Sequence, residues 1–245
     1  LVLGPNSVLA ATGTAPSTVF VSAAGNLSAS AAVSAGTSVT VAATGDITLA
    51  DGSLSAPTVS VTATGALAMA RTPVSGVTVT LRALSGPLTL SGSATPVPVT
   101  ATGPLLLSSG AGGALTLTDM ALSGAGVTLT AEGALNVTRG SVNAGTAALA
   151  MSSGGPTTFT DAAFTGGAIT LTGGAVGIDG GSLISAGDLT ITPTAGAILA
   201  DNTTLRADGT LTLGATGVLG LTNTTVRAAS ASLTVAAGDL SIAGG

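Results

Sequence analysis

The sequence of 245 residues contains no cysteine, histidine, tryptophan, tyrosine or lysine. Without cysteine the chain forms no disulfide framework and offers no thiolate ligand to a metal ion. Because histidine is absent as well, the usual nucleophile–base pairs of covalent catalysis are missing. These absences predict a protein that is not an enzyme and binds no cofactor or metal ion.

Charge is also scarce, at 6% of residues, and five arginines are the only bases beside a net charge of −5. Nucleic acids and anionic membranes attract basic surfaces, so neither is an expected partner. No apolar run approaches the ~18 residues of a membrane helix, which predicts no membrane insertion. Hydrophobic residues nevertheless make up 45% of the chain, far more than in disordered sequences.

Glycines recur along the chain, mostly at intervals of 19 to 22 residues. The interval between Gly86 and Gly113 is irregular, and a short coil that ends at Gly103 followed by a ten-residue segment is expected there. The aligned glycines are Gly25, Gly45, Gly65, Gly86, Gly103, Gly113, Gly133, Gly155, Gly174, Gly196, Gly217 and Gly238.

Aliphatic residues stand two, four and nine positions after most of these glycines, as Ile47, Leu49 and Leu54 do after Gly45. Later in each coil comes an alternating pair such as Val59 and Val61, or Val97 and Val99. Alternation with period two indicates strands with one buried face. The sequence therefore predicts an all-β fold, a right-handed parallel β-helix of about eleven coils with three short strands per ~20-residue coil.

Residues 1–245 are expected to form one β-helix rod with an irregular coil at about 86–113. Leu1 and Leu3 resemble the first column pair of a coil already under way, and Leu240 and Ile242 resemble the same pair at the other end. We therefore expect a segment of a longer fibre or a unit that stacks end to end, with further copies or flanking coils as its partners.

Six residues after the glycines lies a column of polar residues. Stacking in a β-helix would turn it into ladders of opposite charge and of side-chain amides. Catalysis or calcium binding by the carboxylates is the alternative, but register control at a turn is favoured because a slipped register would break the ion pairs. The column contains Asp51, Arg71, Asp119, Arg139, Asp161, Asn202 and Asn223.

The outward positions of the third strand repeatedly read Thr-x-Thr. On a flat face they would form two columns of hydroxyl and methyl groups, similar to the ice-binding faces of β-solenoid antifreeze proteins, although threonine is also a common residue of exposed strands. This predicts a possible ice- or partner-binding face made of Thr78, Thr80, Thr128, Thr130, Thr170, Thr172, Thr190, Thr192, Thr210 and Thr212.

The repeat resembles the coils of filamentous haemagglutinin-type adhesins, which are exported by two-partner secretion; autotransporter passengers share the architecture. The resemblance implies a β-helix shaft, an extracellular or bacterial cell-surface location and a role in adhesion or biofilm formation, with an unknown host-cell or matrix receptor. The predicted function is thus the structural shaft of a filamentous adhesin, and the alternative is an ice-binding solenoid. The resemblance is carried by GDITLADGSLSAPTVSVTATG (45–65), GALTLTDMALSGAGVTLTAEG (113–133) and GVLGLTNTTVRAASASLTVAAG (217–238).

Overall fold

The structure is a computed structural model that describes residues 1–11 and 16–244, except for the side chains of residues 5 and 6. The described residues form strands and turns and no helix. Each coil contributes one strand to each of three faces, which we call A, B and C in chain order. The fold is therefore a β-solenoid of about eleven turns, and the all-β prediction with three strands per coil is confirmed. Its right-handed sense stays a prediction.

Face A follows the recurring glycines, face B comes next, and face C completes the coil. The strands of face A alone are β5 (Ile47–Ala50), β8 (Leu67–Ala70), β11 (Leu88–Ser91), β14 (Leu115–Thr118), β17 (Leu135–Thr138), β24 (Ile198–Asp201), β26 (Leu219–Thr222) and β28 (Leu240–Ala243). Those of face B alone are β6 (Ser53–Ser55), β9 (Val74–Gly76), β12 (Val97–Ala101), β15 (Met120–Ser123) and β18 (Ser141–Asn143).

Face C contains the longest series of separate strands, and some strands run across a corner from one face to the next. Face C holds β2 (Thr18–Ala23), β4 (Ser38–Ala43), β7 (Thr58–Ala63), β10 (Thr78–Ala83), β13 (Leu105–Ser109), β16 (Val127–Ala131), β19 (Leu149–Ser153), β21 (Ile169–Gly173) and β23 (Leu189–Pro193). Faces A and B share β1 (Val2–Ala11), β3 (Leu27–Ala35), β20 (Thr157–Gly166) and β22 (Val176–Ser185), and faces B and C share β25 (Thr204–Ala215) and β27 (Thr225–Val235).

Consecutive coils pair in parallel on all three faces, and they stay in register except for shifts between Leu3 and Ser7 and between Ala207 and Thr210. On face C, for example, Val59 lies beside Val39 on one side and Val79 on the other. Like residues therefore stack on like residues, and burial alternates along the strands of the inner coils, as in β7. The aliphatic columns that follow the glycines point into a continuous apolar interior, as the period-two pattern predicts.

Two phenylalanines fill the interior of one coil. Phe159 and Phe164 are fully buried, and their ring centroids lie 4.3 Å apart. They occupy the inward columns of faces A and B, which elsewhere hold smaller side chains such as Val137 and Val142 in the preceding coil. Both aromatic rings thus belong to the packing of the core.

The coil from Gly86 to Gly113 is a single enlarged coil. The amide of Gly92 donates to Thr118 and that of Val97 to Asp119, so residues 93–96 loop out between β11 and β12. Gly103 stacks on Val77 at the corner between faces B and C, and it does not belong to the column of recurring glycines. Val97 and Val99 lie on face B, beside Met120 and Leu122. The sequence-based predictions that Gly103 is one of the recurring glycines and that Val97 and Val99 belong to the last strand of a coil were therefore wrong.

Candidate functional site

The predicted polar column forms the corner between faces A and B. All of its members have left-handed backbones, with φ between 46° and 55°, and they are Asp51, Arg71, Asp119, Arg139, Asp161, Asn202 and Asn223. Asparagine and aspartate adopt this conformation more readily than other non-glycine residues. The corner therefore requires a left-handed backbone more than it requires a particular side chain. The side chains extend from it into solvent.

Side chains in this column pair across adjacent coils. Arg71 donates through Nε and Nη2 to the two carboxylate oxygens of Asp51, at 2.6 and 2.8 Å. Arg139 donates in the same way to Asp119, with both distances 3.0 Å. Asn223 Nδ2 lies 3.4 Å from Asn202 Oδ1. The structure thus brings together two ion pairs and one amide pair.

The column is interrupted at two glycines. Gly92 lies between Arg71 and Asp119, because Arg71 donates its amide to Ser91 and Gly92 donates its own to Thr118. Gly180, with φ of 71°, lies between Asp161 and Asn202. Within the described chain the column is therefore a set of short ladders. Its role in fixing the register stays a prediction.

The two ion pairs shift the titration of their partners. Hydrogen bonds from Arg71 lower the pKa of Asp51; desolvation opposes this shift, and Coulomb attraction to Arg71 adds to it. Arg139 lowers the pKa of Asp119 for the same reasons. The pKa values of both arginines are raised in return. Because Asp51, Arg71 and Arg139 are exposed and Asp119 is partly exposed, the pairs hold a local geometry and add little to global stability.

Buried hydroxyls beside this corner were not expected from the sequence. Thr72, Thr203 and Thr224 each follow a left-handed residue and point inward. Their hydroxyls donate to the carbonyls two residues earlier, at 3.0, 2.8 and 2.9 Å respectively. The carbonyls of Ala70 and Thr222 also accept the amides of Asp51 and Asn202 from the preceding coil. These bonds therefore mainly give the buried threonine hydroxyls an acceptor. A threonine directly after a polar column residue is the signal that identifies them.

The corner between faces C and A is made of stacked glycines. The amide of Gly65 donates to Gly45, that of Gly155 to Gly133, and that of Gly174 to Gly155. Successive backbones approach so closely that a Cβ on Gly174 would lie 2.6 Å from Gly155 O and 2.7 Å from Gly155 C. The recurrence of glycine at this corner thus reflects a lack of space above and below each residue.

The predicted threonine face is face C, and the register divides it over three columns. Thr80, Thr128, Thr170, Thr190 and Thr212 share the central column, where Leu106 and Ala150 interrupt them. The pairs do not all extend from this column to the same side. Thr130, Thr172 and Thr192 lie in the column after it, whereas Thr78 and Thr210 lie in the column before it.

A second hydroxyl array, not predicted from the sequence, lies on face A. Four successive coils place their outward residues in two columns that stay in register. The first column contains Thr89, Thr116, Asn136 and Thr158, and the second contains Ser91, Thr118, Thr138 and Thr160. The Thr-x-Thr pattern of β14 was visible in the sequence, but only the pairing of coils shows that its neighbours extend it.

Comparison with known proteins leaves the family open. No protein-family model matches the sequence, and no curated protein and no solved structure is significantly similar to it. Within residues 1–11 and 16–244 there is no helix long and apolar enough to cross a membrane, and no cluster of three or more histidine, cysteine or acidic side chains suited to a metal ion.

Proposed function

We propose that this chain is a shaft segment of a bacterial cell-surface or secreted filamentous adhesin. The observation that carries the proposal is the parallel, in-register stacking of coil on coil, which holds the same three faces along the described chain. Such an architecture converts sequence length into distance, at ~4.8 Å per coil. About eleven coils thus extend for roughly 50 Å. A non-catalytic, extracellular role is part of this proposal.

The exposed apolar residues of the last coil support end-to-end stacking. Leu240 and Ile242 are 52% and 66% exposed, although they belong to inward columns that are buried in the preceding coils. A further coil laid on β28 would remove this apolar surface from water and satisfy the free strand edge. The proposed partners are therefore flanking coils of the fibre or further copies of the chain; the adhesin's receptor would bind elsewhere on the fibre.

Electron microscopy tests the stacking part of this proposal. Purified protein in a concentration series is expected to form rods whose lengths increase in steps of one molecule. The variant Ile242→Asp, which places a charge on the proposed contact, should remain as single rods. Single short particles of the wild type at every concentration would count against stacking between copies.

Labelling of intact bacteria tests the location. Antibodies raised against the purified rod are expected to bind unpermeabilised cells that express the native protein, while antibodies against a cytosolic protein do not. Labelling only after permeabilisation would contradict a surface role, and a soluble signal in the culture medium would support the secreted form.

The hydroxyl arrays favour a second candidate, an ice-binding solenoid. The pairs Thr170–Thr172 and Thr190–Thr192 lie in register on adjacent coils of face C, and face A carries in-register polar side chains on four successive coils. The measurement is inhibition of ice recrystallisation. If the wild type shows none at high micromolar concentration, this candidate is abandoned. If it does, Thr170→Tyr and Thr118→Tyr would show which face acts.

A further inference from the structure

A groove lies on the outer surface of face A near the C-terminal end of the described chain. Gly177, Leu199 and Gly220 follow one another in the same outward column. Gly177 leaves open space on one side of Leu199, whereas Leu199 itself leans over Gly220 on the other side. The Leu199 side chain is 52% exposed. The resulting groove has a volume of about 420 Å³ and an apolar floor.

Two stacked carboxylates form one side of this groove. Asp179 and Asp201 are direct register partners on β22 and β24, so they are separated by one strand spacing, ~4.8 Å. Thr160 and Thr222 flank them in the same column. Asp201 Oδ1 is buried and accepts no hydrogen bond from the described residues. Neither aspartate is part of the three ion pairs that the described residues form.

Elsewhere the same fold pairs a carboxylate with an arginine across one strand spacing. Arg71 reaches Asp51 from the next coil with two hydrogen bonds of 2.6 and 2.8 Å, and Arg139 reaches Asp119 at 3.0 Å. The guanidinium fork therefore fits the distance between adjacent coils of this rod. At Asp179 and Asp201 two acceptors occupy neighbouring coils, and the described side chains provide no guanidinium between them.

We propose that this groove binds an arginine side chain of a partner protein. The guanidinium would donate to the accessible carboxylate oxygens of Asp179 and Asp201, and the aliphatic stem would lie across Leu199. The open space beside Gly177 provides the room for the stem. The net charge of −5 adds a favourable long-range attraction for a cationic segment. This binding function is independent of the shaft proposal, because it uses the side of the rod.

A pair of short peptides tests the proposal. The probe is the labelled peptide acetyl-Gly-Leu-Arg-Leu-Gly-amide, and its control carries citrulline, which has the same shape without the charge. Binding to the full chain is measured by fluorescence anisotropy. We expect the arginine peptide to bind at least about tenfold more tightly than the citrulline peptide, and less tightly as salt is raised.

Two variants place the binding in the groove. Asp201→Arg should form an internal pair with Asp179 like that of Arg71 with Asp51, leave the melting temperature unchanged or higher, and abolish arginine-specific binding. Asp179→Asn with Asp201→Asn should lose binding as well, whereas Asp51→Asn, an acid removed elsewhere, should retain it. Equal affinity for both peptides, unchanged affinity in the double variant, or no binding by the wild type at millimolar peptide would overturn the proposal.

Discussion

Two corners of the rod are built from different residues for different physical reasons. Between faces C and A, glycines such as Gly155 and Gly174 stack because the neighbouring backbone leaves no space for a side chain. Between faces A and B, residues such as Asp51 and Arg71 take a left-handed conformation, and their side chains extend freely into solvent. Glycine is thus required by space at the first corner, whereas the second requires only a backbone shape.

The largest effect is expected from a methyl group at the glycine corner. Gly174→Ala would press a Cβ against the carbonyl of Gly155, and overpacking of this kind costs about 3 kcal/mol. The free energy of unfolding from urea titration measures the loss. The matched control is Gly177→Ala in the same coil, where the nearest atom would lie 4.0 Å away and the change should be close to neutral. Equal losses in both variants would remove the spatial explanation.

A smaller loss is expected from the buried hydroxyl beside the left-handed corner. Thr203→Val keeps the shape of the side chain but leaves the carbonyl of Asp201 without its 2.8 Å hydrogen bond. Loss of one such hydrogen bond costs about 1 kcal/mol. Thr204→Val, at the neighbouring half-exposed position, is the control and should change the unfolding free energy little. If the two variants are equally stable, the threonine does not support the corner.

Glycine should be harmless where the corner needs only its conformation. Arg71→Gly loses an exposed ion pair, which contributes about 0–1 kcal/mol, but relieves the cost of a left-handed residue, also about 1 kcal/mol. The net change in unfolding free energy should stay within about 0.5 kcal/mol. Arg71→Val gains no such relief and should be at least about 1 kcal/mol less stable than Arg71→Gly. The reverse order of these two variants would contradict the conformational explanation.

The smallest effect is a dependence on acid at the same corner. The pKa values of Asp51 and Asp119 are lowered in the folded state by their arginine partners. The unfolded chain therefore binds protons first as the pH falls, so this stabilisation is complete above the ordinary value of 3.8 and is lost below it. A double variant, Asp51→Asn with Asp119→Asn, should show a slightly flatter fall in melting temperature between about pH 4 and 2. Identical slopes would mean that the ion pairs do not lower the pKa values of the two aspartates on folding.

The sequence identifies periodic features of this fold better than local ones. Aliphatic and polar columns repeat in every coil, so their members, from Ile47 to Asn223, follow from counting. The left-handed backbone of the polar column does not, because aspartate and arginine have no shared preference for it that a pattern would show.

The enlarged coil and the threonine columns depend on where extra residues enter a coil. Gly103 falls close to the expected period, yet the loop at 93–96 moves it to another corner. In the same way, Thr78 and Thr128 each begin a Thr-x-Thr pair, but they start at different positions of their strands. A period of about 20 residues does not reveal which corner has gained or lost a residue, and strand pairing decides it.

Cysteine cross-linking tests the stacking of the coils most directly, since the described chain has no cysteine of its own. Thr170 and Thr190 are outward register partners on adjacent coils, while Thr170 and Thr212 are two coils apart, ~10 Å. The pair Thr170→Cys with Thr190→Cys should oxidise within one molecule, because its spacing suits a disulfide. The pair Thr170→Cys with Thr212→Cys should not. Equal cross-linking of both pairs, or of neither, would contradict an in-register solenoid.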